Sequence, residues 1–341
     1  MRCINLDWLE VFAIEKGSEK NAAFFSSLGF DIKQRAYGTP QYREMFTISQ
    51  NGTRFMEVRR NPYSLREVGG IFPRGACHLR LPNMMCYGLS PAGLMLKFLN
   101  AFSYELQSLS RVDVCLDFQT FDDGSSPEQM IGRLMSAQIS KLNQPNIAAH
   151  GKSMWHTNYW NSLKWGANTS AITTKLYNKS LELKEGAPKV YIQDHWAQAG
   201  MITPPDVWRI EFSLDSIIKN IVKLDTGENF EVSLSNLQTR EQCWDLFVRL
   251  YSKYFDFRQI TYSRNGNPIR KYRCPRLQLI DTKSQDIYTP VRIVLKPDPS
   301  RTDKMLIKRL QHISQDDNYT RSEQEQASIM HFIMKSHFPN G

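Results

Sequence analysis

Ile172-Thr-Thr-Lys-Leu-Tyr-Asn-Lys-Ser-Leu-Glu182 decides how this 341-residue chain is read. A turn signal precedes it, Gly166-Ala-Asn-Thr-Ser170, and before that comes an aromatic-rich run, Tyr159–Trp165. That order predicts a β-hairpin whose second strand begins near Ala171. Side chains alternate across a strand, which places Thr173, Lys175, Tyr177 and Lys179 on one face and Leu176 on the other. A tyrosine flanked by ammonium groups at two-residue spacing fits a half-buried strand with a solvated lysine edge. The arrangement is nonetheless an uncommon one for a tyrosine.

Two further strands bear on the choice. In Arg111-Val-Asp-Val-Cys-Leu-Asp-Phe118, alternation sets Val112, Val114, Leu116 and Phe118 against Arg111, Asp113, Cys115 and Asp117. In Val207-Trp-Arg-Ile-Glu-Phe212, Trp208, Ile210 and Phe212 oppose Arg209 and Glu211. Each apolar set is core material, and each polar set carries charge where threonine or serine would serve a sheet as well. In one sheet the three strands bring Asp113, Asp117 and Glu211 near Tyr177, with Lys175, Lys179 and Arg209 around them. Hard oxygen ligands gathered in that way suit Mg²⁺ or Mn²⁺. Periodicity by itself serves three solvated sheet faces equally well.

Charge is unevenly placed. The formal net charge is +9, and Arg258–Leu310 alone holds 13 Lys/Arg against 4 Asp/Glu, so the rest of the chain is about neutral. A surplus confined to one segment points to a polyanion-facing surface, with nucleic acid the natural partner and a solvated basic loop the plain alternative. Arg270, Lys271, Arg273 and Arg276 form its densest part. Upstream, Trp155, Trp160 and Trp165 interleave with Lys152, His156 and Lys164. Such mixtures stack single-stranded bases, and they also fill strand cores.

The N-terminal run Met1–Glu10 is interrupted by Asp7 and Glu10, which does not suit a signal peptide. No apolar run approaches the roughly 20 residues that span a bilayer, so no membrane is expected and the cytoplasm is the expected compartment. The six cysteines lack zinc spacing and are expected to be free and mostly buried.

Taken in order, Asn5–Ile14 reads as a strand and Lys20–Leu28 as a short helix begun near Ser18. Gln41–Gln50 and Thr53–Arg59 read as a hairpin across Asn51-Gly52. Ala76–Leu81 is a strand, Ser90–Leu106 a helix, and Ser126-Pro127 opens another running to about Leu142. A short helix is expected around Tyr191–Ala199 and an amphipathic one over Gln238–Phe255. Pro290–Leu295 is an expected strand, followed by helices over Asp303–Ile313 and Ser322–His337. Strand–turn–strand–helix occurs twice, with Glu57 placed loosely like Glu211, which hints at a duplicated half. The fold class is α+β: a large curved, mostly antiparallel sheet with flanking helices, then a basic, mainly helical C-terminal region. The boundary is drawn between residues 1–257 and 258–341.

The trio Arg111-Val-Asp-Val-Cys-Leu-Asp117, Leu176-Tyr-Asn-Lys-Ser-Leu-Glu182 and Trp208-Arg-Ile-Glu211 resembles, in that order, the Rep_trans replication initiators. These are rolling-circle initiators of plasmids and phages, with related relaxases of mobile elements. The resemblance spans roughly residues 71–214, including the lead-in Phe72-Pro-Arg-Gly-Ala-Cys-His-Leu-Arg-Leu81. Cys115 stands where a small apolar residue is usual, and Asn178 where many relatives carry Asp. No His-hydrophobic-His pair is present, so the resemblance puts the metal on carboxylates, with His150 and His156 only secondary candidate ligands.

The resemblance implies a DNA nickase with Tyr177 as nucleophile, a 5′-phosphotyrosine intermediate and a free 3′-hydroxyl. Lys175, Lys179 and Arg209 would have electrostatic roles, and Asp113, Asp117 and Glu211 would hold Mg²⁺ or Mn²⁺. Rejoining would need no ATP, in keeping with the lack of a Gly-x-x-x-x-Gly-Lys-Ser/Thr loop. Implied partners are origin DNA, as duplex and single strand, with room for a homodimer and a host helicase. Lys164 and the basic segment are assigned to DNA, the segment to the origin duplex. A mobile-element relaxase shares this chemistry. A sequence-specific DNA-binding protein without cleavage is the alternative of another class, with the acids then forming a structural ion-pair network.

Overall fold

The computed structural model describes residues 2–143, 147–154, 157–167, 169–186, 189–223, 226–283, 306, 309–316, 318 and 320–337. The chain divides into two compact units, Met1–Trp8 with Arg111–Pro290, and Leu9–Ser110 with Val291–Gly341. The boundary expected after residue 257 falls inside the first of these. Trp155, His156 and the expected strand Pro290–Leu295 lie outside the described residues, as does part of Asp303–Ile313.

The Leu9–Ser110 unit holds β2 (Asp31–Gln34), β3 (Tyr42–Gln50), β4 (Thr53–Pro62) and β5 (Ala76–Arg80), with parts of β1 (Arg2–Glu15) and β6 (Tyr104–Phe118). Its helices are α1 (Ala22–Ser27), α2 (Asn83–Cys86) and α3 (Pro91–Ala101). β3 and β4 make the expected hairpin. Asn51 and Gly52 both have positive φ, 50° and 76°, as a two-residue turn matched to strand twist requires. α1 is shorter than expected because Asn21, not Ser18, caps it by accepting from Phe24 N at 3.0 Å. α3 likewise stops at Ala101. Ser103 takes φ 51°, and Tyr104 and Leu106, expected in the helix, start β6. Phe25, Phe46, Phe98 and Phe102 fill the core, with Phe98 and Phe102 centroids 4.8 Å apart.

The Arg111–Pro290 unit contains β7 (Ile139–Lys141), β8 (Ile147–Met154), β9 (Thr157–Trp165), β10 (Ile172–Asn178), β11 (Trp208–Asp215), β12 (Asn220–Val222), β13 (Asn229–Glu231) and β14 (Phe257–Gln259). Its helices are α4 (Pro127–Met135), α5 (Lys179–Glu185), α6 (Val190–Gln198) and α7 (Arg240–Tyr254). α4 begins with a capping box, Ser126 with Gln129, and Pro127 in the first turn. It ends well short of Leu142: Ala137 has φ 56°, and Ile139–Lys141 pair with β14 instead. α7 has its own capping box, Thr239 with Gln242, and lays Phe247 5.3 Å from Phe212 of β11. Late in the chain α8 (Arg321–His337) packs on α3.

The architecture is α+β, built on a ten-stranded sheet of order β2-β3-β4-β5-β1-β6-β11-β10-β9-β8, antiparallel at every pairing whose register is described. Outward from β1 the order runs β5-β4-β3-β2, and outward from β6 it runs β11-β10-β9-β8. The two halves therefore repeat one connectivity, in which the opening strand pairs with the closing one. Glu57 lies on β4, opposite Arg80 of β5. Strand order makes β4 the counterpart of β10, so Glu57 matches the Lys175 side of the Lys175–Glu211 pair and not Glu211 itself. All six cysteines are free and buried. No helix among the described residues is long and apolar enough to cross a membrane.

Candidate active site

Register determines which side chains share a face. On β11, Arg209 lies opposite Asp117 of β6 and Tyr177 of β10. Glu211 lies opposite Cys115 and Lys175, and Ser213 opposite Asp113 and Thr173. Directly opposed residues point the same way, so Asp113, Asp117, Lys175, Tyr177, Arg209 and Glu211 occupy one polar face. Lys164 of β9 stands opposite Lys175 and joins them. The reverse face is apolar, with Leu116, Leu163, Leu176 and Ile210 fully buried.

At the centre, the half-buried Tyr177 donates its hydroxyl to Glu211 Oε2 at 2.9 Å. Lys175 Nζ holds the other oxygen, Oε1, at 2.6 Å. Lys179 reaches the tyrosine by a different route from the expected one. β10 ends at Asn178, whose side chain accepts from Leu181 N at 2.8 Å and caps α5, so Lys179 is the first residue of that helix. From there its side chain is only 2% exposed, and its ammonium lies 5.4 Å from the centroid of the Tyr177 ring and pairs with Glu182. Burial pushes the Tyr177 phenol well above its ordinary pKa, and the Glu211 charge adds to this. The resting tyrosine is thus protonated and carries its proton toward a carboxylate. Burial opposes the charge on Lys175, but Glu211 outweighs it and raises the lysine. Lys179 is lowered, by burial first and then by Arg209.

The remaining acids are held by arginines. Arg209 is 0% exposed, and its Nε and Nη2 fork the Asp117 carboxylate at 2.5 and 2.8 Å while Nη1 donates to Asp7 at 2.6 Å. Trp196 Nε1 of α6 donates to Asp117 as well, at 2.8 Å. A fully buried Arg209 lies beneath the face and does not reach a phosphate in this arrangement. Arg111 forks Asp113 at 2.8 and 2.5 Å and stacks 4.4 Å from the Trp8 ring centroid. Burial pushes Asp113 up to about 6, with Glu211 adding and Arg111 opposing.

These pairings bear on a divalent ion. Asp113, Asp117 and Glu211 do share a face, yet each carboxylate accepts from its own cationic or neutral donors, and no three acidic, histidine or cysteine groups among the described residues converge on one point. The three side chains do not fit a preformed ion cage as they stand. His150 is placed on β8, opposite Ser162.

No family model matches the chain, and no curated protein does. A solved structure, described as a rolling circle replication initiator protein from Geobacillus stearothermophilus, is similar over 82% of this chain and 94% of that one, at a TM-score of 0.47 and 14% identity. A likeness of that size assigns no activity. The Rep_trans resemblance therefore rests on the three motifs.

Of the residues assigned to DNA, Arg270, Lys271 and Arg273 are exposed. Arg276 is engaged internally, 3.6 Å from Asp256 and donating to Ser252 O at 3.1 Å. Sequence reasoning missed Asp7 and Trp196. Asp7 gave a faint signal, as an acid within the apolar-rich strand β1; Trp196, on a helix about 80 residues from its partner, gave none.

Proposed function

We propose that this protein is a site-specific DNA nicking and rejoining enzyme of the rolling-circle initiator kind, with Tyr177 as its nucleophile. The observation that carries the reading is the 2.9 Å hydrogen bond from Tyr177 to Glu211 on a polar sheet face, with Lys175 and Lys179 beside it. A phenol whose pKa is raised needs a base at hand, within about 2.6–3.2 Å of its proton. Glu211 Oε2 meets that condition. As the Tyr177 oxygen bonds to the scissile phosphorus, its proton passes to Glu211 and the bond from phosphorus to the 3′-oxygen breaks. The 3′-oxygen leaves, taking a proton from water, and a 5′-phosphotyrosine remains. Attack by a 3′-hydroxyl reverses each step and rejoins the strand. Lys175 orients the Glu211 carboxylate through its other oxygen, and the Lys179 ammonium beside the ring favours the negative charge that gathers on the Tyr177 oxygen.

A Mg²⁺ or Mn²⁺ ion stays within this proposal in one form. Such an ion would be held by one carboxylate together with the DNA phosphates, the way Mg²⁺ is commonly bound. The forked pairs of Asp113 and Asp117 favour a second reading, a DNA-binding protein without cleavage whose acids are structural. A relaxase would use the same chemistry as an initiator.

Incubation with supercoiled plasmid carrying the protein's own locus separates these. The wild type is expected to convert it to open circles, and Tyr177→Phe to bind it without nicking. Glu211→Gln is expected to slow nicking by about 10²–10⁴-fold, the usual worth of a positioned base. Equal nicking by Tyr177→Phe and the wild type would end the proposal, and no nicking by any form would favour the non-catalytic reading.

A further inference from the structure

The basic segment is not a featureless charged loop. Residues 259–275 fold as a hairpin: Gln259 N donates to Pro275 O at 2.9 Å, Ile269 N to Thr261 O at 2.8 Å and Ser263 N to Asn267 O at 2.8 Å. Gly266, at φ 75°, makes the turn at the tip. The root is anchored by β14, which pairs with β7, and by Cys274, which is 3% exposed with its Sγ 3.4 Å from Thr261 Oγ1. Between 259 and 275 there is no Asp or Glu, while Arg264, Arg270, Lys271 and Arg273 give four positive charges, all exposed.

Two aromatic rings project from the same hairpin. Tyr262 is 62% exposed and Tyr272 55%. Other exposed tyrosines occur, such as Tyr37 at 87%, but these two share one acid-free basic element. Tyr272 is also held in place: Arg273 Cζ lies 5.7 Å from its ring centroid, and its hydroxyl accepts from Arg270 Nη1 at 3.3 Å. An oriented, solvent-facing ring among guanidinium groups has the makings of a stacking platform. Only an unpaired base has a free face to offer it, because paired bases are already stacked in the duplex.

We infer that this hairpin is a finger that binds unpaired DNA, with Tyr262 and Tyr272 stacking on bases and Arg264, Arg270, Lys271 and Arg273 tracking the phosphates. The inference rests on the DNA-acting role proposed above. It narrows the partner of this segment from duplex to single-stranded or melted DNA, adds the two tyrosines to the interface, and removes Arg276, whose guanidinium faces Asp256 and Ser252.

The test is fluorescence anisotropy with the full chain, using a labelled single-stranded oligonucleotide and the same sequence as a blunt duplex, over a series of salt concentrations. Replacing both tyrosines by leucine is expected to weaken single-strand binding by on the order of tenfold for each ring. Duplex affinity and the thermal midpoint should stay as in the wild type, since both rings are exposed. Replacing the four cations by glutamine should flatten the log–log salt slope on the single strand by about 3, at roughly 0.7 per phosphate contact. Unchanged single-strand affinity in the double tyrosine variant overturns the finger while leaving the DNA-acting role intact. An equal loss on duplex and single strand also overturns it. A wild type that binds neither DNA removes both the finger and the role it rests on.

Discussion

Arg209 offers the sharpest structural prediction, because the family resemblance gives it an electrostatic role in the chemistry and the structure buries it completely. Its guanidinium is 0% exposed and bonded to Asp117, also 0% exposed, and to Asp7. Arg209→Met keeps the aliphatic bulk and leaves two carboxylates without their cation. Removing one partner of a buried pair typically costs about 3–5 kcal/mol. For a folding unit of this size, at about 2–4 °C per kcal/mol, the midpoint should fall by roughly 6–20 °C. If orphaned charge is the cause, Arg209→Met with Asp117→Asn should be more stable than Arg209→Met alone, a coupling that a double-mutant cycle in urea measures directly. The reasoning is refuted if Arg209→Met keeps the wild-type midpoint while its DNA affinity falls and its salt slope flattens by about one contact. Arg209 would then face the phosphate after all.

Two further outcomes follow from the same geometry. Burial holds Lys141 down to about 7 against an ordinary 10.5, with Asp256 opposing, although its ammonium donates to Asn143 O at 2.5 Å and lies 5.4 Å from the Trp165 ring centroid. Between those two values the unfolded chain binds more protons, so this group adds stability as pH rises from 7 toward 10.5. Lys141→Met should therefore compare more favourably with the wild type in urea denaturation at pH 6 than at pH 9; an identical difference at both would contradict the burial. Because no three-carboxylate cage is preformed among the described residues, Mn²⁺ should raise the thermal midpoint only in the presence of DNA, and a clear rise with the protein alone would show a site that these pairings hide.

Much of the site was legible because strand parity is a strict rule. Once Arg111–Phe118, Ile172–Asn178 and Trp208–Asp215 are strands, Asp113, Asp117, Tyr177, Lys175 and Glu211 must share faces, and antiparallel register aligns them. Asn51-Gly52 was legible for a local reason, since few dipeptides tolerate two successive positive φ values. Boundaries were less so. Tyr104 and Leu106 continue an apolar pattern that also suits a helix, and the left-handed Ser103 that breaks it carries no sequence signature. Lys179 fits the strand parity, but Asn178 is a helix cap and ends the strand first. What parity cannot give is depth. Asp7 and Trp196 come from β1 and α6, far away in the chain, and they turn Arg209 and Asp117 from surface groups into a sealed network.

The central claim is a covalent bond between DNA and one tyrosine. The direct measurement is to incubate the protein with a single-stranded oligonucleotide containing its scissile site, denature, digest with protease and sequence the DNA-linked peptide by mass spectrometry. The expected result is a peptide modified at Tyr177, lost in Tyr177→Phe, with the oligonucleotide attached through its 5′-phosphate. An adduct mapped to another tyrosine, such as Tyr159 or Tyr191, or cleavage with no adduct in a wild type that nicks, would contradict the account.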